Sequence, residues 1–424
     1  MQPADGIRRP QLILSTDYSL SNPDTLTKYK AAGEISNKVL KAVVGWCVED
    51  GNIVELCEKG DKLLEDEIAK VYKGKKITKG PAHPTTVSPS SYVTPYTPIK
   101  SDTEEAATTL KAGEVVKIQL GAQIDGLGTI VCDHVVVPNK DGSPAAVSER
   151  VADLIHATHY ANELLLRLML PPGLLATGSE EEKKKAAAAK PYTQTQITQM
   201  LDKLVKSYDC NLVESTTCWL FERNEIEGKK KIILAPGEGV KGEGFAEVGE
   251  VWGVEMGVSL GSGKVKTLNN RATLHRRTTT NYGLKRPSSR ATLSEIMKKF
   301  SFFPFSLRQL DDERGAKVGV MECVRGNVLR QYEVVGDKDN EPVGRLFTTV
   351  AITKNGMTRV SAPPPPDLSK FKTNKKIKDD ELLKILEQPI SKASTSKAKN
   401  KKKKKKPARK AAEEEDDDEE SSDE

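Results

Sequence analysis

Residues Leu110–Gly126 read LKAGEVVKIQLGAQIDG, and Ile130–Val137 continue the chain as IVCDHVVV. Hydrophobic and polar residues alternate over Val115–Ala122, which is typical of a strand with one buried face. Asp125-Gly126 is a tight-turn signal, because both residue types tolerate positive φ. A second run rich in β-branched residues follows the turn, so the sequence predicts a β-hairpin.

Helical and extended patterns alternate on both sides of this hairpin. Hydrophobic residues recur every three to four positions in four segments predicted as helices: Tyr29–Asp50, Asp61–Val71, Ser148–Leu170 and Pro191–Tyr208. Further strands are predicted at Glu250–Ser259 and Arg345–Thr353, the latter ending at the turn Asn355-Gly356. Gly178–Lys190 is low in complexity and is predicted as a surface insertion. The interleaving predicts one large α/β (α+β) body.

The composition limits the classes of protein that fit. Of 424 residues, 37% are hydrophobic, 30% charged and only 5% aromatic, which indicates a folded body plus a solvated segment. No run of 18 apolar residues occurs, so we expect no transmembrane helix and no membrane partner. Met1–Pro10 lacks the apolar core of a secretory signal. The six cysteines lack CxxC spacing, which favours buried free thiols in a reduced compartment over disulfides or zinc.

The composition changes at Pro363–Pro366, where a proline run is expected to end the folded body. We therefore predict an N-terminal extension over 1–25, a body over 26–362 and a disordered Pro/Lys/acidic tail over 363–424. Within the tail, Asp379–Gln388 has the apolar residues of a short docking helix. Beyond it no apolar periodicity remains, which predicts a disordered electrostatic arm.

The tail contains a basic block, followed by an acidic block over Glu413–Glu420. Consecutive lysines are typical of nuclear import signals and of polyanion binding; a purely solubilising tail is the alternative. Ser421 has Glu424 three residues on, so it is a candidate for phosphorylation by an acid-directed kinase. The lysines of the block are Lys401, Lys402, Lys403, Lys404, Lys405 and Lys406.

Seven segments keep a fixed order and spacing between about Leu26 and Ser361. They are Leu26–Val44, Glu55–Asp61, Pro95–Asp102, Leu110–Gly126, Glu250–Lys266, Asn281–Ala291 and Phe302–Glu313. Together they resemble the proliferation-associated protein family, which includes a fungal curved-DNA-binding protein and is related to type-2 methionine aminopeptidases of peptidase family M24. The resemblance implies a pita-bread (creatinase/methionine aminopeptidase-like) fold, with a basic, helical insertion at about 264–340.

The resemblance also assigns positions to the enzymes' catalytic centre. Type-2 aminopeptidases hold two metal ions with two Asp, one His and two Glu, and a further His handles protons. The five ligand positions fall on Gln119, Ile130, Trp219, Glu255 and Phe347, and the proton-handling position falls on Pro95. Hard divalent cations need several charged oxygen ligands, and only Glu255 offers one. We therefore expect a pseudoenzyme without metal, cofactor or catalytic residues, its former pocket partly filled by Trp219 and Phe347.

The clearest charge signal lies in Lys264–Lys299, where ten basic residues face one acid, Glu295. Such a stretch is typical of binding to phosphate backbones, and no base-reading motif accompanies it. A solvated loop with scattered salt bridges is the alternative. Lys70–Lys79 contains a smaller cluster that is a candidate extension of the same surface. The ten residues are Lys264, Lys266, Arg271, Arg276, Arg277, Lys285, Arg286, Arg290, Lys298 and Lys299.

Members of the resembled family associate with ribosomal RNA and large ribosomal subunits near the nascent-chain exit, in the cytoplasm, nucleus and nucleolus. The resemblance thus implies a ribosome- and nucleic-acid-binding protein acting in ribosome biogenesis or translation, with nascent chains and other proteins as further partners. We expect a monomer. The alternatives are a curved-DNA-binding chromatin protein, a protein-interaction adaptor and an active metallo methionine aminopeptidase.

Overall fold

The computed structural model describes residues 17–392. The helices are α1 Pro23–Trp46, α2 Ile53–Lys70, α3 Thr103–Ala106, α4 Glu149–Leu168, α5 Glu180–Ala187, α6 Gln194–Lys206, α7 Pro287–Lys299, α8 Glu313–Arg325 and α9 Asp380–Leu386. The strands are β1 Lys79–Ser88, β2 Val115–Ile124, β3 Leu127–Val136, β4 Asn211–Leu212, β5 Thr217–Phe221, β6 Lys231–Ile233, β7 Val251–Ser259, β8 Val265–Thr267, β9 Leu274–Arg277, β10 Phe305–Ser306, β11 Leu329–Gln331, β12 Val335–Asp337, β13 Val343–Thr353 and β14 Gly356–Ser361.

The predicted hairpin forms part of the main sheet. In the described residues this sheet has nine strands in the order β1-β2-β3-β13-β7-β5-β6, with β14 beside β13 and β4 beside β7. β2 and β3 pair in continuous antiparallel register from Val115↔Val136 to Ile124↔Leu127. Asp125 and Gly126 join them with φ of 59° and 78°, as a two-residue turn with positive φ at both central positions requires. The hairpin prediction is confirmed.

Helices cover one face of this sheet. α1 and α2 pack on the half formed by β1–β3, and α4 packs on β7 and β13. Side chains alternate between the faces of a strand, so Ile118 and Leu120 of β2 are buried against α1 and α2, while Gln119 lies on the opposite face. On β7, Val254 and Met256 join the core beneath α4, and Glu255 lies opposite.

The chain between β7 and β13 forms the insertion, which we define as residues 264–340. Its strands β10, β9 and β11 make a small sheet, and α7 and α8 pack on a core that includes Phe300, Phe305 and Val320. Arg308, with a side chain only 1% exposed, ties the insertion to the body. Its Nη2 lies 2.6 Å from Asp61 Oδ2 of α2 and donates to Thr85 O of β1 at 2.7 Å.

The segment from Pro363 to Ser391 is folded, so the prediction that the disordered tail begins at 363 is wrong for these residues. The short helix predicted within it forms as α9, with Leu382 and Ile385 buried in the core beneath α4 and α6. Lys375 Nζ also lies 2.7 Å from Asp153 Oδ2 of α4. A few apolar residues are enough here because they dock on an existing core. Residues 393–424, with Lys401–Lys406 and Ser421, lie outside the described residues, as do 1–16.

Two other boundaries differ from the sequence prediction. α2 begins well before Asp61, because the Asn52 side chain caps it by accepting the Glu55 N–H at 3.1 Å. β1 was not predicted, because Pro81 and Pro84 lack the backbone N–H that a central strand needs and so argue against a strand. The strand accommodates them at the sheet edge, with irregular register on both sides of His83.

The six cysteines are buried with free thiols, as predicted for packing residues. Burial raises the pKa of Cys47 and of Cys57 to about 12, so both thiols stay protonated. Within residues 17–392, no helix has the length and apolarity needed to cross a bilayer.

Candidate functional site

One row of paired residues crosses the centre of the sheet on the face away from the helices. Gln119 pairs with Cys132, Cys132 with Phe347, and Phe347 with Glu255. Residues directly opposite each other in antiparallel strands share a face. Trp219 of β5 pairs with Gly253, two residues before Glu255 on β7. Strand pairing thus brings together side chains that are far apart in sequence.

A cavity of about 440 Å³ lies over this row. It contains every position that the resemblance assigned to the enzymes' centre, from five strands of the main sheet and the loop after β1. These positions are Pro95, Gln119, Ile130, Trp219, Glu255 and Phe347. The cavity is therefore the place where a centre of the aminopeptidase type would lie.

The charged groups of the cavity do not fit a pair of divalent cations. Glu255 Oε1 lies 2.7 Å from Arg345 Nε, so the remaining carboxylate already faces a cation of the same chain. Arg345 also donates from Nη1 to Val93 O at 3.1 Å. Ile130 and Phe347 are buried and have no donor atoms for a metal. Within residues 17–392, no group of three or more His, Cys, Asp or Glu side chains is placed to hold a metal ion.

A second polar contact in the cavity joins Gln119 to His83, at 3.0 Å between their Nε2 atoms. His83 Nδ1 lies 2.8 Å from Pro84 O, and burial lowers the pKa of His83 to about 3. The ring is therefore neutral, with its proton on Nδ1, and His83 Nε2 accepts from the Gln119 amide. Sequence reasoning missed His83 because it missed β1. It also missed Arg345, although a single arginine in the apolar run GRLFTTV was a usable signal.

The two aromatic residues that were expected to fill the pocket in part lie in different surroundings. Phe347 packs against Phe221, with ring centroids 6.2 Å apart, and a Cβ at Gly253 would lie 2.7 Å from the Phe347 ring. Trp219 is only partly buried and lines the cavity wall. Phe347 therefore belongs to the core, whereas the space beside Trp219 remains open.

The ten basic residues of Lys264–Lys299 divide by burial. Arg276 is 12% exposed, and its guanidinium Nη1 lies 2.5 Å from Glu225 Oε1. Glu227 lies on its other side, at 3.9 Å from Nη2. Arg276 was predicted to contact nucleic acid, but it sits inside an ion-pair network that joins the insertion to the loop after β5.

Three more of the ten are engaged by acids. Lys299 Nζ lies between Glu295 at 2.7 Å and Asp311 at 2.6 Å. Arg271 pairs with Asp102, and Lys264 pairs with Glu214. Arg277 places its guanidinium over the Phe302 ring, 4.6 Å from the centroid.

The remaining five have no acidic partner among the described residues. Lys285, Arg286, Arg290 and Lys298 are exposed, and Lys266 is half-buried. The backbone N–H groups of Lys285 and Arg286 donate to the Glu322 carboxylate of α8, which holds the start of α7 in place. Arg290 and Lys298 lie eight residues apart on the exposed side of α7. We call these five residues, Lys266, Lys285, Arg286, Arg290 and Lys298, the open cations.

The smaller basic cluster adjoins α7. A Cβ at Gly80 of β1 would lie 3.6 Å from the carbonyl oxygen of Lys299, so the end of α7 meets the start of β1. Lys73, Lys75 and Lys76, in the loop before β1, are exposed. The continuation of the basic surface from α7 to this loop, which was expected from the sequence, therefore fits the structure.

Comparison with known proteins gives relatives over nearly the whole chain, although no protein-family model matches it. The chain is 39% identical over 391 residues to curved DNA-binding protein of Schizosaccharomyces pombe, covering 91% of this chain and 96% of that protein. It is 33% identical over 385 residues to proliferation-associated protein A of Dictyostelium discoideum, covering 89% and 93%. A solved structure described as a thermophilic Arx1 is 65% identical, with a TM-score of 0.85 over 87% of this chain and 99% of that chain. The expected mixed α/β pita-bread fold is confirmed.

Proposed function

Because the chain belongs to the family of curved DNA-binding protein and proliferation-associated protein, we propose that it is a non-catalytic ribosome- and nucleic-acid-binding protein. It acts in ribosome biogenesis or translation and grips ribosomal RNA of the large subunit near the nascent-chain exit. The open cations and the adjoining lysines before β1 supply the contact.

The observation that carries this proposal is the separation of paired from unpaired basic residues. Cations held by carboxylates contribute little to a phosphate contact, because the acid must be displaced first. Of the open cations, all except the half-buried Lys266 are exposed to solvent, as are Lys73, Lys75 and Lys76. Phosphate backbones release counterions when they meet such groups, which gives affinity that falls steeply with salt.

The RNA contact is testable by charge reversal. The variant Lys76→Glu, Lys285→Glu, Arg286→Glu, Lys298→Glu is expected to lose about 100-fold or more in affinity for large-subunit ribosomal RNA at moderate salt. The matched control is Lys184→Glu, Lys185→Glu, Lys190→Glu, Lys241→Glu, which makes the same change of charge at exposed sites elsewhere. Filter binding over a salt series measures both. Equal losses in the two variants, or wild-type binding that ignores salt, would contradict the proposal.

The absence of catalysis is proposed from the cavity chemistry. Glu255 Oε1 already lies 2.7 Å from Arg345 Nε, and Ile130 and Phe347 offer no ligand atoms. We expect no release of methionine from a Met-Gly-Met-type peptide with Co²⁺, Mn²⁺ or Zn²⁺ added. Turnover that depends on the metal and is lost in Glu255→Gln would overturn this part of the proposal.

A second candidate function, binding of curved DNA, is favoured by the name of the Schizosaccharomyces pombe relative. The same basic surface would serve it. Competition between structured ribosomal RNA and an intrinsically bent duplex separates the two functions, since our proposal expects the RNA to displace the duplex. Preferential retention of the bent duplex would favour the alternative.

We also propose that the protein occupies the cytoplasm and the nucleus, including the nucleolus, with Lys401–Lys406 as the import signal. Runs of consecutive basic residues such as these six lysines are typical of nuclear localisation signals. Replacing all six by alanine should leave a fluorescent fusion in the cytoplasm. An unchanged nuclear fraction would contradict this assignment without bearing on RNA binding.

A further inference from the structure

The cavity contains a buried hydrogen-bond acceptor without a partner. His83 donates from Nδ1 to Pro84 O, so its Nε2 must accept, and the Gln119 amide nitrogen is the group that donates to it. This chain of contacts fixes the orientation of the Gln119 side chain. Its oxygen, Oε1, is left with no hydrogen-bond partner within the described residues, although Gln119 is only 4% exposed. A buried acceptor of this kind is satisfied by a donor from outside the chain, either a water molecule or a group of a bound ligand.

The walls around Gln119 are largely apolar. Trp219, Phe221, Ile226 and Phe347 line the same space. A volume of about 440 Å³ lies in the range of pockets that enclose small ligands or single bulky side chains, which is about 300–1,000 Å³. The occupant therefore combines an N–H donor with a bulky apolar group.

The charges of the cavity select among such occupants. Its three carboxylates are Glu214, Glu227 and Glu255, and each already has a cation of the same chain. Lys264 lies 3.3 Å from Glu214, Arg330 pairs with Glu227, and Arg345 lies 2.7 Å from Glu255. No carboxylate of the cavity is thus left over to neutralise an ammonium group. Three acids against the two arginines of the lining also disfavour a phosphate, and hence a nucleotide.

We infer that the cavity binds an internal, uncharged peptide segment, which inserts one bulky apolar side chain and donates a backbone N–H to Gln119 Oε1. This occupant differs from the free chain terminus that an aminopeptidase centre would take. The inference goes beyond the proposed RNA contact, since none of the open cations lines the cavity. RNA binding and peptide binding can therefore fail separately.

The test uses the full-length protein and alanine pentapeptides with a central leucine, methionine, phenylalanine or tryptophan. One set is acetylated and amidated; in the matched set the same apolar residue is moved to position 1, where it carries the free amino group. Isothermal titration calorimetry is expected to show binding of at least one blocked peptide, about tenfold tighter than its free-amine counterpart, since one hydrogen-bond energy corresponds to about that ratio.

Substitutions at position 119 sharpen the test. Gln119→Leu removes the acceptor and should weaken the blocked peptide about tenfold. Gln119→Glu places a negative charge at the same point and should reverse the preference, so that the free amine binds better. The control is Gln123→Leu, on the same face of β2, because Gln123 Oε1 already accepts the Gly126 N–H at 2.9 Å and Gln123 does not line the cavity.

A second variant guards against misfolding at position 119. Thr217→Trp adds bulk at a partly buried position of the cavity lining without touching Gln119, and it should abolish binding while circular dichroism stays native. Three results would overturn the inference: no peptide binds, the wild type prefers the free amine, or affinity survives both Gln119→Leu and Thr217→Trp. Displacement of a bound peptide by adenosine monophosphate at equal or lower concentration would instead assign the cavity to a nucleotide.

Discussion

Charged side chains are arranged differently in the cavity and in the insertion. In the cavity, charged groups are few, and Glu255 and Arg345 neutralise each other at 2.7 Å. In the insertion, cations are many, and neighbours in sequence have different surroundings: Lys299 lies between two carboxylates, whereas Lys298 is exposed. In the cavity, the type of residue at each position is enough to predict that no metal binds. In the insertion, the type of residue is not enough: whether a basic side chain is available to a ligand depends on its burial and on its acidic neighbours.

The contrast between the cavity and the insertion depends most on Phe347, which we expect to stabilise the cavity wall by packing. Truncation by Phe347→Ala should cost about 3–5 kcal/mol of unfolding free energy, because it removes a buried ring from the contact with Phe221. Urea unfolding measures the change. Phe245→Ala, at a ring that is 43% exposed, is the control and should cost less than about 0.5 kcal/mol. Similar values for the two variants would show that the cavity wall is not held by packing.

Arg276 tests whether a basic residue of the insertion is structural. Arg276→Ala should lower the unfolding free energy by about 3 kcal/mol, because Glu225 and Glu227 lose the guanidinium between them. Arg286→Ala, at an exposed arginine without an acidic partner in residues 17–392, should change it by less than about 0.5 kcal/mol. For RNA affinity, measured on folded protein, we expect the reverse: Arg286→Ala should weaken binding more than Arg276→Ala. If Arg276→Ala left the unfolding free energy unchanged, Arg276 would have to be grouped with the open cations.

His275 gives the insertion a pH dependence of known sign. Burial lowers the pKa of His275 to about 4, whereas an unperturbed histidine titrates near about 6.5. Between these values the unfolded chain binds the proton and the folded chain does not, so stability falls as pH falls from about 6.5 to about 4. His275→Gln removes this loss of stability at low pH, which amounts to about 3 kcal/mol for the difference between pKa values of about 6.5 and about 4. The difference in unfolding free energy between variant and wild type should therefore shift in favour of the variant as pH falls; a difference independent of pH would contradict the assignment.

Lys298 and Lys299 provide the smallest and sharpest contrast. Lys298→Ala should weaken RNA binding about threefold and lower the slope of log affinity against log salt by about 0.7–0.9, the loss of one phosphate contact. Lys299→Ala should leave that slope nearly unchanged, because Glu295 and Asp311 already hold its ammonium group. Filter binding at four or more salt concentrations measures both. Equal slopes in the two variants would remove the distinction between paired and open cations.

Much of the fold could be predicted because local signals agreed with tertiary packing. The alternation in β2 and the Asp125-Gly126 turn needed no distant partner, and β2 and β3 pair as expected. β1 could not be predicted, since its prolines oppose a strand and only the edge position makes them acceptable. In 363–391 the short helix was predicted from its apolar residues, but the folded course of the chain around it was not, because that course depends on a core built by α4 and α6.

The candidate site was predictable in its positions but not in its contacts. Gln119 and Glu255 fall where the resemblance placed them, since sheet register carries both to one cavity. The partners His83 and Arg345 come from other strands, and no local pattern links them to Gln119 or Glu255. Burial of Arg276 was equally invisible, because its acids lie in a loop about fifty residues earlier in the chain.

The anchor at Arg308 has a consequence for the speed of association. Because its contacts with Asp61 and Thr85 fix the insertion on α2 and β1, we expect α7 with Lys298 to stay next to β1 in the unbound protein. If the protein binds RNA as proposed, this anchoring predicts that little conformational entropy is lost on docking. Encounter should therefore proceed at an electrostatically steered, diffusion-controlled rate that drops with ionic strength, and complexes should differ mainly in their lifetimes.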